Sequence, residues 1–273
     1  GLGLAKGETV TVMCPNIIEY GIVHFGNART GCQSVHLSIM YGTDELVHIL
    51  NRTRARLLVV DHTCLASIEA VRDRLEHLES IVVVGEPGIA GPKIAGPKID
   101  GGVTFEQFLT DSSDQPPGVA IAETDPVGMT FTGGTTGLPK GAVVSHRARY
   151  VSAYTVVMEH EFIGEDVVAV VTPLFHAVGL MIWFQAAILA GCTCVLRPRW
   201  DPGRFVEECA HHHITAAFLV PVQLRAILGD EHFDAHKLAT LRKIGSGGAP
   251  VPGDMIAKGR DLLTGVRLVD HYG

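Results

Sequence analysis

The stretch from Met129 to His146, MTFTGGTTGLPKGAVVSH, holds four glycines, four threonines, a proline and a lysine between two apolar runs. Between the runs lie Thr132, Gly133, Gly134, Thr135, Thr136, Gly137, Leu138, Pro139, Lys140 and Gly141. Glycines let backbone amides close around an anion, threonine hydroxyls add donors, and a lysine adds positive charge. Such a set is suited to binding phosphate. An ordinary glycine-rich turn is the alternative, and a lone Gly-Gly pair would fit it. A turn, however, has no use for three threonines and a lysine among its glycines.

Two familiar phosphate loops are excluded. The nucleoside-triphosphatase loop needs Ser or Thr after its lysine and a helix beyond, whereas Lys140 is followed by Gly141 and a strand-like run. The dinucleotide fingerprint needs G-x-G-x-x-G at the opening of a helix.

Other chemistry-bearing residues are sparser. His176 follows Phe175 in TPLFHAVGL (172–180) and reads either as a hydrogen-bonded core histidine or as a site residue. GSGGAP (245–250) ends a strand-like run, where glycines serve a turn or let a ligand approach the backbone. His211, His212 and His213 are consecutive and point around a helix. His232 and His236 have the i, i+4 spacing of a metal pair, but no third ligand accompanies them and a solvated helix is the plainer reading. No metal ligand set is assigned. Arg197, Arg199 and Arg204 form a short basic cluster open to a phosphate or an anionic lipid surface, with a solvated surface as the alternative.

Strand-like and helix-like segments alternate around these residues. Strands are expected at Thr9–Cys14, Leu57–Val60, Ile81–Val84, Val127–Phe131, Ala142–Val144, Val167–Val171, Ile214–Val220, Lys243–Gly245 and Val266–Val269. Asn16 and Glu19 have capping-box spacing at the start of a helix running toward Gly31. Further helices are expected after Thr43, over Ala148–Glu159, from an Asp201 cap through Cys209, and near Pro221–Leu228 and Val251–Leu263. This alternation predicts an α/β fold with two mostly parallel sheets flanked by helices, and a seam near residue 164. The tandem IAGPKIAGPK reads as a solvated insertion.

The chain has 273 residues, a net charge of -7 and six cysteines at scattered positions. Nucleic acid as a partner calls for a basic face, so this balance argues against it. The cysteines sit in apolar contexts without metal spacing and read as buried free thiols in a reducing cytoplasm. The apolar run Ala177–Val195 is interrupted at Gly191, which predicts a buried helix of about fourteen residues followed by a strand, short of the ~20 a membrane span needs.

The loop closely resembles the T-S-G-T-T-G-x-P-K-G loop of the adenylate-forming, or AMP-binding, superfamily, with Gly133 where that family usually has Ser. GETVTVMCPNIIEY, TPLFHAVGL, GSGGAP and DHYG (270–273) resemble further stretches of the same superfamily in the same order, closest in appearance to fatty acyl-CoA synthetases. The resemblance implies that the chain is part of a large N-terminal domain, with the small C-terminal domain absent. It implies activation of a carboxylic acid by ATP and magnesium through an acyl-adenylate, then transfer to coenzyme A. Thr132, Gly133, Gly134, Thr135, Thr136, Gly137 and Lys140 would hold the phosphates, and His176 would gate the acyl pocket. Gly247, Gly248, Ala249, Pro250, Asp270, His271, Tyr272 and Gly273 would line the acyl and adenine sites. The magnesium-binding Glu is expected just after Gly273. No acid occurs in FHAVGLMIWF to pair an amino acid's ammonium, so amino-acid substrates are disfavoured. An aliphatic acid of medium or long chain is the first expectation, an aromatic acid the second, and a non-catalytic nucleotide- or acyl-binding module the rival of another class.

Overall fold

The computed structural model describes residues 3–85, 103–132, 137–230 and 233–271. Its contacts divide the chain into two compact units, Gly1–Arg149 and Tyr150–Gly273. In chain order the first unit contains β1 (Thr9–Met13), α1 (Ile18–Thr30), β2 (Gln33–His36), α2 (Thr43–Arg52), β3 (Leu57–Asp61), α3 (Leu65–Glu69), β4 (Ser80–Val84), β5 (Val103–Thr104), α4 (Phe105–Thr110), β6 (Pro126–Thr132) and β7 (Lys140–Ser145). Helix α5 (His146–His160) follows. The boundary falls within α5, earlier than the seam expected near residue 164. The reason is packing: Val156 of α5 belongs, with Phe162, Val168 and Trp183, to a core of the second unit.

The first unit is a seven-stranded sheet in the order β5-β4-β3-β1-β2-β6-β7, parallel except for the β6–β7 pair. Its central strands read as unbroken apolar runs because a sheet covered on both faces hides every side chain; Leu57, Leu58, Val59 and Val60 are all buried. On one face Leu46, Ile49, Leu50 and Ile68 of α2 and α3 pack on Val35, Leu58 and Val60. On the other, α1 and α4 bring Val23 and Phe105 beside Val10 and Val59.

Helix α1 begins one residue later than the Asn16–Glu19 spacing predicted. The cap position is Ile17, without a side-chain hydrogen bond, and Asn16 is buried one residue earlier. Gly31, at φ 76°, ends that helix in the left-handed region as expected of a C-terminal glycine.

The second unit holds β8 (Val167–Val170), α6 (Gln185–Leu189), β9 (Thr193–Leu196), α7 (Pro202–His212), β10 (Ala216–Phe218), α8 (Pro221–Leu228), β11 (Lys243–Gly247), α9 (Gly253–Leu262) and β12 (Arg267–His271). They build a five-stranded parallel sheet in the order β12-β11-β10-β8-β9. Strand alternation divides β10 between two cores: Ala216 and Phe218 face Trp183 and Ala187, while Ala217 and Leu219 face Phe205, Leu224 and Ile227. Helix α7 opens as expected, with the Asp201 carboxylate accepting from the Arg204 amide at 2.7 Å and Pro202 at the first position.

The apolar run after His176 is wound more widely than an α-helix over Val178–Phe184, continues as α6, and stops at Gly191 with φ 77°. No helix among the described residues is long and apolar enough to cross a membrane. The tandem repeat lies outside the described residues, as does His232.

Candidate active site

In the first unit β6 and β7, which flank the glycine- and threonine-rich stretch, form an antiparallel pair. Thr132 pairs with Lys140, Phe131 with Gly141 and Thr130 with Ala142 across antiparallel strands. The strands therefore reach further into the stretch than the apolar runs alone suggested, and Lys140 stands on the first residue of β7. The lysine follows a proline for a structural reason. A strand's first residue is one of the few places where the ladder tolerates a missing N–H, so a proline just ahead of it costs nothing. Pro139 is buried while Lys140 is exposed.

Gly141 matters for packing. A Cβ there would lie 2.6 Å from Met129 Sδ and 3.0 Å from Phe131 Cζ, so any other residue would require these side chains to shift. Met129 and Phe131 pack on the first unit's core and anchor the loop's stem. A cleft of about 610 Å³ beside the stem is lined by His48 and Arg52 of α2 together with Leu138 and Lys140. The two basic residues of α2 were not among the sequence candidates; only the fold brings them to the loop. Gly133, Gly134, Thr135 and Thr136 lie outside the described residues, and of Thr132 only the backbone is described. Gly137 is exposed, and a Cβ there would meet open space.

In the second unit β11 and β12 bring together two of the proposed stretches. Gly247 pairs with His271 and Ser246 with Asp270. Gly245 and Gly247 face aromatic rings. A Cβ on Gly245 would meet Phe218 at 2.8 Å and Trp183 at 3.2 Å, and one on Gly247 would meet the His271 carbonyl oxygen at 2.7 Å. Gly248 sits at φ 81° in the left-handed region, and Ala249, Pro250 and Asp270 are exposed. Tyr272 and Gly273 lie outside the described residues.

His176 stands on the turn before the Val178–Phe184 segment, its ring tilted 58° against Phe175 at 4.8 Å. Desolvation by its apolar surroundings holds its pKa below the ordinary histidine value. The turn depends on Gly179. A Cβ there would collide with the carbonyl oxygens of Pro173 and Thr172, which are backbone atoms and cannot swing away. Gly179→Ala is expected to cost about 1–3 kcal/mol, as overpacking does. Thermal unfolding checks this against Gly26→Ala, where nothing lies within 4 Å and a helical alanine should be neutral or stabilising.

Beneath the ring cluster lies a charged anchor that sequence reading missed. Asp166, fully buried, accepts from Lys243 Nζ at 2.9 Å, Arg242 Nη2 at 2.6 Å and the Ile163 amide at 3.1 Å, as well as from the Thr215 hydroxyl. Burial works to raise its pKa, but the donors of Thr215, Ile163 and Lys243 outweigh it and hold the carboxyl below the ordinary range. Lys243 also donates to the carbonyls of His160 and Glu161, both at 2.9 Å, so it clamps the end of α5.

The basic cluster of Arg197, Arg199 and Arg204 is diluted: Arg197 pairs with Glu208, and Glu207 and Glu208 line the same shallow depression as Arg197 and Arg204. All six cysteines are free thiols. Burial pushes Cys192 up to about 11 and Cys194 and Cys209 up to about 12, which leaves them poor nucleophiles.

The glycine-rich hairpin with its leading lysine, and the two-sheet frame, are features of a family of nucleotide-dependent enzymes. The chain belongs to the AMP-binding enzyme family, whose model matches residues 1–273. It is 28% identical over 271 residues to a feruloyl-CoA synthase of an Amycolatopsis species, covering 99% of this chain and 50% of that protein. It is also 28% identical over 274 residues to a long-chain-fatty-acid–CoA ligase of Thermus thermophilus, covering 100% of this chain and 48% of that one. A crystal structure of an anthranilate CoA ligase in complex with anthranoyl-AMP superposes with a TM-score of 0.89 at 26% identity, covering 100% of this chain and 51% of the other. The chain thus spans about half the length of the relatives it matches.

Proposed function

We propose that the whole protein joins a carboxylic acid to coenzyme A at the expense of ATP. A carboxylate oxygen attacks the α-phosphorus, the bond to the bridging oxygen breaks, and pyrophosphate leaves. The coenzyme A sulfur then attacks the acyl carbonyl and AMP departs. In this reading Lys140 meets charge on the phosphates as it shifts to the leaving group, which is where a fixed cation accelerates such a transfer. Thr132, Thr135, Thr136 and the loop amides supply donors, and His176 borders the acyl site. One observation carries the proposal: the phosphate-type loop hangs from a rigid hairpin, anchored by Met129 and Phe131, that presents Lys140 exposed at its rim.

Magnesium is implied by the family. Among the described residues no three His, Cys, Asp or Glu side chains converge to hold a metal. ATP and coenzyme A as co-substrates go with a cytoplasmic setting.

An aliphatic acid of medium or long chain remains the first substrate reading. The aromatic acid remains the second; the rings of Trp183 and Phe218 against Gly245 and Gly247 are closed core packing and favour neither reading. Substituting Gly248, as in Gly248→Leu, would force a branched side chain into the left-handed region, so it would perturb the backbone as well as any pocket there. The test is therefore on substrates. Thioester formation by the whole protein is measured with straight-chain acids of increasing length and with benzoate- and cinnamate-type acids. Turnover rising with chain length supports the aliphatic reading, and turnover confined to the aryl acids replaces it.

A further inference from the structure

His160, on the last turn of α5, and His271, at the end of β12, are 111 residues apart in sequence and meet through their Nε2 atoms at 2.6 Å. Their ring planes are 7° from parallel with centroids 4.8 Å apart, so the two rings meet edge to edge through these nitrogens. Two imidazole nitrogens share a hydrogen bond only if one carries a proton and the other does not. The environment of His160 decides which. Its Nδ1 is buried among Phe162 and Trp183 and has no partner. A proton there would leave a buried N–H unsatisfied, whereas a bare ring nitrogen in the same place costs less. The proton therefore belongs on His160 Nε2, which donates to His271 Nε2. His271 must then carry its own proton on Nδ1.

We infer that His160 is a positioning residue that fixes His271 as the Nδ1–H tautomer, so that His271 offers a hydrogen-bond donor to an acceptor atom of the bound nucleotide or acyl-adenylate.

The surroundings support this arrangement. Gly247 lies across the ladder from His271 with no room for a side chain between them, and the Phe218 ring abuts His271 edge-on at 5.3 Å. Lys243, on β11, clamps the carbonyl of His160 and, with Arg267 of β12, opposes protonation of that ring. Burial is the larger cause, and together they bring His160 down to about 4. Desolvation also lowers His271, partly opposed by Asp270. Both rings are thus neutral near pH 7, as a one-proton bridge requires. The arrangement resembles the way a second group sets the tautomer of a working histidine elsewhere.

The ligand half of the inference rests on the proposed function, and the tautomer half does not. Long-range proton–nitrogen correlation spectra of 15N-histidine-labelled protein at pH 7 read the tautomer directly. The expected result is His271 with a protonated Nδ1 and His160 with a protonated Nε2. His160→Gln keeps a donor of similar reach and should preserve the His271 pattern, while His160→Phe keeps only the ring and should release His271 toward Nε2–H. A native spectrum with His271 protonated on Nε2 overturns the inference, whatever becomes of the variants. In the whole protein, His160→Phe should raise the KM for ATP or acid about fivefold at little cost in kcat, the effect of losing one neutral hydrogen bond, with rescue by His160→Gln. An unchanged KM with the tautomer confirmed would remove His271 from the ligand site. Absence of any acid-dependent reaction in the native protein would instead count against the proposed function and leave the tautomer result standing.

Discussion

Lys140→Ala in the whole protein is expected to lower the rate of adenylate formation about a hundredfold or more, because in the proposed reaction a cation that meets phosphate charge in the transition state contributes a few kcal/mol. The residue is exposed on the first position of β7, while Met129 and Phe131 of β6 pack on the core. The thermal unfolding temperature of the variant is measured alongside, so that the rate loss is read separately from any change in stability. The size of the effect separates this role from that of a general surface charge, whose loss changes rates little and only through long-range screening-sensitive attraction. Single-turnover formation of the acyl-adenylate, followed at saturating ATP and acid, is the measurement that checks it. Lys140→Arg should recover part of the rate, since it keeps the charge but changes its geometry. Wild-type rates in Lys140→Ala would take the lysine out of the phosphate site.

The second large effect concerns stability. Asp166→Ala is expected to destabilise the second unit by about 3–5 kcal/mol, the typical result of removing one partner from a buried ion pair. Lys243, which is buried beside it, would be left with two carbonyls and no counter-charge. The variant should unfold at a lower temperature or denaturant concentration and lose the order of the α5 end that Lys243 clamps. A pH dependence follows from the same carboxyl. Its folded pKa lies below the ordinary aspartate value of about 3.9, so its stabilising contribution is present above that value and is lost as pH falls through the folded pKa. Acid titration of stability in wild type and variant should therefore converge below about pH 4. Parallel curves throughout that range would show that the carboxyl is not held by its donors.

These two residues illustrate what a sequence can reveal. The glycine- and threonine-rich stretch stands out in the sequence because its proposed chemistry is local: glycines, threonines and a lysine crowd into ten consecutive residues, whatever surrounds them. Element order was legible for a similar reason, since each parallel strand is a continuous apolar run bounded by helix signals. The Asp166–Lys243 anchor was not, because its partners are 77 residues apart and a lone aspartate ahead of a strand looks like any surface acid. The His160–His271 pair was hidden in the same way; His271 was a candidate from its place in DHYG, while nothing near His160 marked it. Strand β2, Gln33–His36, escaped notice because polar residues fill a buried strand there. The Ser34 hydroxyl accepts from Asn27 Nδ2 at 3.0 Å and His36 Nδ1 meets the Tyr20 hydroxyl at 2.9 Å, partners that only the packing of α1 supplies. The start of α1 is a smaller miss: the spacing marked Asn16 as the cap, and the helix is capped one residue on at Ile17.

The central claim is that this loop serves ATP-dependent activation of a carboxylate, and isotope exchange between pyrophosphate and ATP tests it most directly. The exchange requires reversible adenylate formation and nothing beyond it, so it does not depend on the thiol acceptor. The whole protein, with ATP, magnesium and labelled pyrophosphate, should show exchange that appears only when an accepted aliphatic or aromatic acid is added. Exchange that is independent of any acid, or none with every acid of the panel in a protein that binds ATP, would contradict the account.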